Sequence, residues 1–236
     1  MTSSPSLPGY HPDDFSRERE MMVRHQLAAR GIQDARLLEA MVKVPRHLFV
    51  PPEYMDQAYA DSPLPIGGGQ TISQPFMVAW MTELLTLTGR EKVLEVGTGS
   101  GYQAAILSLL ADKVTSIERS RELAAEARKR LGRLGYGSVE VIEGDGSKGY
   151  PEEAPYDGII VTAGAPEIPR PLTEQLADSG RLIIPVGGSG SQVLILAQRQ
   201  GDKVVTRELG SCAFVPLVGR YGWAGRGDGQ SRRNRR

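Results

Sequence analysis

Apolar residues recur at helical spacing over residues 15–27, where Met21, Met22, Val23 and Leu27 repeat and Gly31 is placed to stop the helix. Asp34 suits the N-cap of a second helix over 35–42, with Leu37, Leu38 and Met41 on one face, and Pro45 ends that stretch. The periodicity then fails. Residues 50–70 are crowded with Pro, Gly and Asp, and so long a patternless stretch inside a compact domain is expected to be functional or disordered. Ser73 followed by Pro75 predicts an N-cap with proline in the first turn. Phe76, Ala79, Trp80, Leu84 and Leu85 then mark one helical face, closed by Gly89.

After Gly89 the rhythm changes to short apolar runs at 92–96, 114–118, 139–143, 158–162 and 181–186, each expected to be a buried strand. Helical patterns at 102–110, 121–134 and 171–177 alternate with them. This alternation predicts an α/β, Rossmann-like, mostly parallel and doubly wound sheet. Residues 192–199 and 203–209, divided by Gly201 and Asp202, read as an antiparallel closing hairpin. The expected divisions are a flexible N-terminal arm over 1–14, an N-terminal helical region carrying the long loop over 15–88, a core over 89–222, and a disordered Gly/Arg-rich tail over 223–236.

Composition narrows the class. Of 236 residues, 40% are hydrophobic and 24% charged, ordinary globular values that supply a packed core. The 28 Lys+Arg balance the 28 Asp+Glu, so the chain lacks the basic excess of a protein that neutralises many phosphates, and no nucleic-acid partner is expected. The Arg-rich end (Arg226, Arg232, Arg233, Arg235, Arg236) reads as a solvated tail. Cys212 has no partner for an internal disulfide, and His11, His25 and His47 share no metal spacing, so no metal is expected. No run approaches the roughly 18 apolar residues of a membrane span, and the N-terminus lacks a charged-then-apolar signal pattern. A cytoplasmic protein without membrane contact is the expectation.

Candidate chemistry begins at Glu95-Val96-Gly97-Thr98-Gly99-Ser100-Gly101, a strand end, a glycine turn and a helix start. Glycines let backbone approach a ligand closely, and a helix N-terminus offers free N–H groups; a dinucleotide, a phosphate or S-adenosylmethionine would all fit that much. The spacing discriminates. Dinucleotide folds prefer G-x-G-x-x-G, whereas here the spacing is G-x-G-x-G with Glu95 two residues upstream, where its charge repels a pyrophosphate and suits an ammonium group. Glu118, ending the next strand, can accept from both ribose hydroxyls. Asp145-Gly146, after the third, offers the acceptor and N–H that an adenine edge needs. Three acids at successive strand ends beside a glycine turn point to S-adenosylmethionine rather than NAD.

The segment Tyr59-Ala60-Asp61-Ser62-Pro63-Leu64-Pro65-Ile66-Gly67-Gly68-Gly69-Gln70-Thr71-Ile72-Ser73-Gln74-Pro75 resembles the protein-L-isoaspartate (D-aspartate) O-methyltransferase family. The resemblance continues through Glu95–Gly101, Glu118, Gly144-Asp145-Gly146, Glu153-Ala154-Pro155-Tyr156-Asp157, Gly180-Arg181-Leu182-Ile183-Ile184-Pro185-Val186-Gly187 and Phe214-Val215-Pro216-Leu217. It implies a class I methyltransferase that moves a methyl group from S-adenosyl-L-methionine to the free carboxylate of isoaspartyl residues. The ester then closes to a succinimide, whose hydrolysis returns some normal Asp. Carried over residue by residue, the resemblance makes Ser73 the active-site serine. The cofactor residues become Gln70, Thr71, Ile72, Glu95, Gly97, Thr98, Gly99, Glu118, Asp145 and Gly146, and Ile66, Ser73, Thr162 and Val215 become substrate contacts.

The implied partners are isoaspartyl-containing proteins and peptides, and a monomer is expected. The nucleophile is already anionic, so no general base is needed. Ser73 as a helix cap alone is the bland alternative. At the level of function the rivals are a methyltransferase of small carboxylic acids, a non-catalytic sensor of S-adenosylmethionine or isoaspartyl sites, and an NAD-dependent oxidoreductase.

Overall fold

A computed structural model describes residues 14–224; the N-terminal arm with His11, and the terminal arginines from Arg226 onward, lie outside the described residues. Helix α1 (Ser16–Met21) runs on as a π-helical segment, Met22–Leu27, and a 3-10 turn, Ala28–Arg30, before Gly31 ends it at φ 98°. Met22, Val23 and Leu27 are buried as the pattern implied, whereas Met21 falls off that stripe and is 48% exposed. In α2 (Ala35–Lys43) the Asp34 carboxylate accepts from the N–H groups of Arg36 and Leu37, the expected cap.

The patternless stretch acquires structure of its own. Two 3-10 turns, Arg46–Phe49 and Pro52–Gln57, lead into an antiparallel hairpin of β1 (Leu64–Gly67) and β2 (Gln70–Ile72). Gly68 and Gly69 form its turn at φ 59° and 71°, the doubly positive geometry that a two-residue hairpin turn needs to match strand twist. Helix α3 (Pro75–Glu83) then starts one residue later than the Ser73 cap implied. Proline forces the residue before it into extended geometry, so Gln74 (ψ 137°) is the N-cap and Ser73 stands outside the helix. The buried side of α3 is Val78, Ala79, Met81 and Thr82, with Phe76, Trp80 and Leu84 only partly covered.

Strands β3 (Lys92–Val96), β4 (Lys113–Glu118), β5 (Glu140–Glu143), β6 (Tyr156–Val161) and β7 (Leu176–Gly187) are mutually parallel, and β8 (Gln192–Gln200) and β9 (Lys203–Cys212) close the sheet antiparallel, in the order β5-β4-β3-β6-β7-β8-β9. The crossovers carry α4 (Tyr102–Leu107), α5 (Arg121–Arg133) and α6 (Arg170–Glu174). The helix expected over 171–177 is shorter because Leu176 already pairs with Tyr156, and tertiary pairing overrides the local pattern. Successive strand residues serve opposite faces: Val93, Ile160 and Ile183 join the core under the N-terminal helices, while Leu94, Val96, Ile159, Val161, Leu182 and Ile184 build the other. This is a Rossmann-like sheet, and the strand order reverses between β3 and β6, where such folds bind ligands.

The chain returns across that rim after β9. Gly164 N–H donates to Val215 O at 2.8 Å, Leu217 N–H to Gly164 O at 2.8 Å, and the Trp223 indole to Gly164 O at 3.0 Å. Trp223, assigned from sequence to the disordered tail, is thus fastened to the core. Among the described residues no helix is long and apolar enough to cross a membrane.

Candidate active site

The glycine turn after β3 fits tightly against its neighbours. Gly97 N–H donates to Ile117 O at 2.8 Å, and Thr162 Oγ1 donates to Gly97 O at 2.7 Å. Gly97 has φ 101°, and a Cβ there would lie 2.3 Å from Thr162 Oγ1, so only glycine fits. A Cβ on Gly99 would meet Ile66 Cδ1 at 3.3 Å, which shows that hairpin β1–β2 lies directly over the turn. Glu118, at the end of β4, accepts from Gly99 N–H through Oε2 and from Ser120 N–H through Oε1, both at 2.9 Å. One carboxylate therefore joins the glycine turn to the start of the α5 connection.

Two adjoining cavities open here. The larger, about 400 Å³, is bordered by Gln70, Thr71, Gly97, Gly99, Glu118, Gly146, Thr162 and Val215. The smaller, about 30 Å³, is bordered by Ile72, Ser73, Glu95, Thr98, Tyr102 and Gln103. Thr71, Gly97, Gly99 and Thr162 form walls of both. The residues singled out by sequence thus converge, except that Ile66, which lies over the glycine turn, and Asp145 border neither cavity. Asp145 Oδ1 accepts from the Ser147 hydroxyl at 2.6 Å and its Oδ2 from Arg220 N–H at 2.8 Å, so the carboxylate is turned to the returning C-terminal segment. Burial pushes the Asp145 carboxyl up, but the hydrogen bonds from Ser147 and Arg220 outweigh it and hold the group below its usual range.

Glu95 is completely buried. Its Oε2 accepts from the Ser116 hydroxyl, which is itself 2.6 Å from Thr98 Oγ1, while Oε1 has no hydrogen-bond partner among the described residues. Burial raises this carboxyl to about 8, against the lowering effect of Ser116 and with a further rise from the Glu118 charge. Thr162 spends its hydroxyl on the backbone of Val96 and Gly97, and the Val215 carbonyl is taken by Gly164. His47 is buried, with Nδ1 2.8 Å from the Tyr59 hydroxyl.

Arg46 escaped the sequence reading. It is fully buried, and its Nη2 donates to the Ser73 carbonyl at 2.8 Å. Its signal was a cation between Pro45 and His47, just ahead of the apolar run Leu48-Phe49-Val50, a pattern that periodicity alone does not separate from a solvated face. Arg119, Ser120 and Leu217 also border the larger cavity.

A glycine cradle that a Cβ would fill, an orphaned buried carboxyl oxygen and the rim acid Glu118 fit a ligand with a cationic amino-acid end and a ribose. Fold and site together define a class I S-adenosylmethionine-dependent methyltransferase. Residues 17–222 match the Protein-L-isoaspartate(D-aspartate) O-methyltransferase family profile. A Protein-L-isoaspartate O-methyltransferase of Methanoregula boonei is 59% identical over 212 residues, 90% of this chain and 98% of that one. A solved protein-L-isoaspartate O-methyltransferase superposes with TM-score 0.79 at 32% identity, covering 86% of this chain and 67% of the other. A candidate enzyme of that kind from Plasmodium falciparum, solved with S-adenosyl-L-homocysteine, gives TM-score 0.74 at 25% identity over 85% and 98% of the two chains.

The chain belongs to the protein-L-isoaspartate (D-aspartate) O-methyltransferase family. It is an S-adenosyl-L-methionine-dependent enzyme that methylates isoaspartyl residues of damaged proteins and so begins their repair.

Proposed function

We propose that the acceptor carboxylate enters on the Ser73 side, the cofactor lies on the Glu118 side, and the methyl group passes between them beside Thr71, Gly97, Gly99 and Thr162. The observation that carries this reading is that these four residues wall both cavities. S-adenosyl-L-methionine, when bound, supplies an electrophilic methyl group on a sulfonium.

The chain's own task is orientation. Glu118 accepts from the ribose with the lone pairs its two backbone bonds leave, and Glu95, behind the shared wall of Gly97 and Gly99 on the smaller-cavity side, offers its unpartnered oxygen to the ammonium end. Asp145, already bonded to Ser147 and Arg220, holds Gly146 at the adenine side. Ser73 and the backbone of Ile72 hold the acceptor, while Ile66 and Val215 flank the peptide. Alignment and exclusion of water, without a general base, supply on the order of 7–11 kcal/mol of the barrier reduction in such displacements. The enzyme works as a cytoplasmic monomer, and without nucleic acid, the last supported by its balanced charge. Residues 15–88 supply Ser73 and 89–222 supply Glu118, and both regions border both cavities.

The test is radiolabelled methyl transfer to two peptides that differ only in Asp against isoAsp. Base-labile label is expected on the isoAsp peptide alone. Ser73→Ala should lower turnover roughly tenfold or more, as loss of a hydrogen bond to a charged group would, and leave S-adenosyl-L-homocysteine affinity within about twofold. Normal turnover in that variant would remove Ser73 from the site.

A further inference from the structure

Arg46 lies in the 3-10 turn between α2 and the hairpin, completely buried. Nε donates to Ala58 O at 2.7 Å and Nη2 to Ser73 O at 2.8 Å, while Cζ lies 4.9 Å from the centroid of the Tyr102 ring. Ala58 and Ser73 bracket the whole segment that carries hairpin β1–β2. One side chain therefore ties together the two ends of the loop that covers the glycine turn. Burial lowers its pKa to about 10, its Coulombic partners being the Tyr102 and Tyr59 side chains and, more weakly, Asp61, so at neutral pH it remains a cation. Nη1 has no hydrogen-bond partner among the described residues.

Burying a cation that is compensated chiefly by carbonyls and tyrosines, with only a weak contribution from Asp61, is costly, and a neutral side chain of similar length would fill the space more cheaply. The cation does two things that a neutral chain cannot. It makes charge-assisted, directional bonds to two backbone carbonyls, and it sets positive potential one layer behind Ser73. Both Ser73 and Tyr102, which touch the guanidinium, border the smaller cavity.

We propose that Arg46 is a positioning residue for the methyl acceptor: it fixes the ends of the 58–73 segment, and through Ser73 it biases the acceptor wall toward a carboxylate. This rests on the assignment of the Ser73 cavity to the acceptor.

The test compares Arg46→Lys, Arg46→Met and Ser73→Ala in steady-state methylation of an isoAsp peptide, with S-adenosyl-L-homocysteine affinity measured by calorimetry. Arg46→Met should raise the KM for peptide on the order of 10–100-fold, as lost charge-assisted bonds would, while homocysteine-product affinity changes by no more than about threefold. Arg46→Lys, which keeps the charge but not the fork, should recover part of that loss. Unchanged KM in both Arg46 variants overturns the proposal. So does a parallel loss of peptide and product affinity with no advantage of Lys over Met, which is the mark of a purely structural residue. If Arg46→Met does not fold, Arg46→Lys decides on the same split, and failure of both to fold also overturns it. Impairment by Ser73→Ala with normal Arg46 variants sinks this proposal alone. Normal Ser73→Ala with the KM effect at Arg46 sinks the Ser73 assignment and leaves Arg46 acting on the acceptor through the hairpin.

Discussion

Glu95 has one carboxyl oxygen bonded to Ser116 and the other bonded to nothing among the described residues, with its side chain fully buried. Its carboxyl is raised from 4.5 to about 8, so the folded chain holds a proton at neutral pH that the unfolded chain has released. The sign follows directly. Stability from this group is full below its ordinary value and is lost as pH rises through about 8. The difference in thermal stability between the ligand-free protein and Glu95→Gln should therefore shift against the wild type as pH is raised from about 5 to about 9. A pH-independent difference would show that Glu95 does not titrate in that window. Removing a single buried carboxyl in this way tests local electrostatics without disturbing Glu118, whose oxygens are held by backbone.

Among the elements, β4 ends in a residue that also organises the turn after β3. Glu118→Ala removes the proposed ribose acceptor and both backbone bonds, to Gly99 and Ser120. Charge-assisted bonds contribute about 1.5–3 kcal/mol each, so product affinity measured by calorimetry should fall by roughly a hundredfold or more. A loss below about tenfold would place the ribose elsewhere. The strands that bear these acids were legible because burial on both faces writes continuous apolar runs, as in Val93-Leu94 and Ile159-Ile160-Val161. Hairpin β1–β2 was not, since strands of four and three residues containing Pro65 and lying half-exposed leave almost no period to detect. Ser73 borders the smaller cavity but does not cap the helix, since Pro75 already assigned that position to Gln74. The orientation of Asp145 was invisible because its partner, Arg220, is 75 positions away.

At the scale of the whole molecule, the larger cavity exists only because distant stretches meet: the hairpin with Gln70 and Thr71, the glycine turn with Glu118, the strand ends with Gly146 and Thr162, and the returning segment with Val215 and Leu217. That last stretch belongs to no strand of the sheet, and its position depends on a set of latches. Gln192 Oε1 accepts from Phe214 N–H, Asp145 from Arg220 N–H, Ser147 Oγ from Tyr221 N–H, and Gly164 O from Leu217 N–H and the Trp223 indole. The fit around Asp145 is close, since a Cβ on Gly219 would lie 2.0 Å from its Oδ1. A chain ended after Ala224 keeps every one of these bonds and should methylate an isoAsp peptide at the full rate. A chain ended after Val218 loses the bonds to Asp145, Ser147 and the Trp223 indole. Each ordinary hydrogen bond contributes about 0.5–1.5 kcal/mol, so the three together should weaken product affinity by about tenfold or more, with the sheet still folded by circular dichroism. Equal activity in the two truncations would mean that Val215 and Leu217 hold the wall without the latch. Loss of activity in the longer chain would instead bring the terminal arginines into the site.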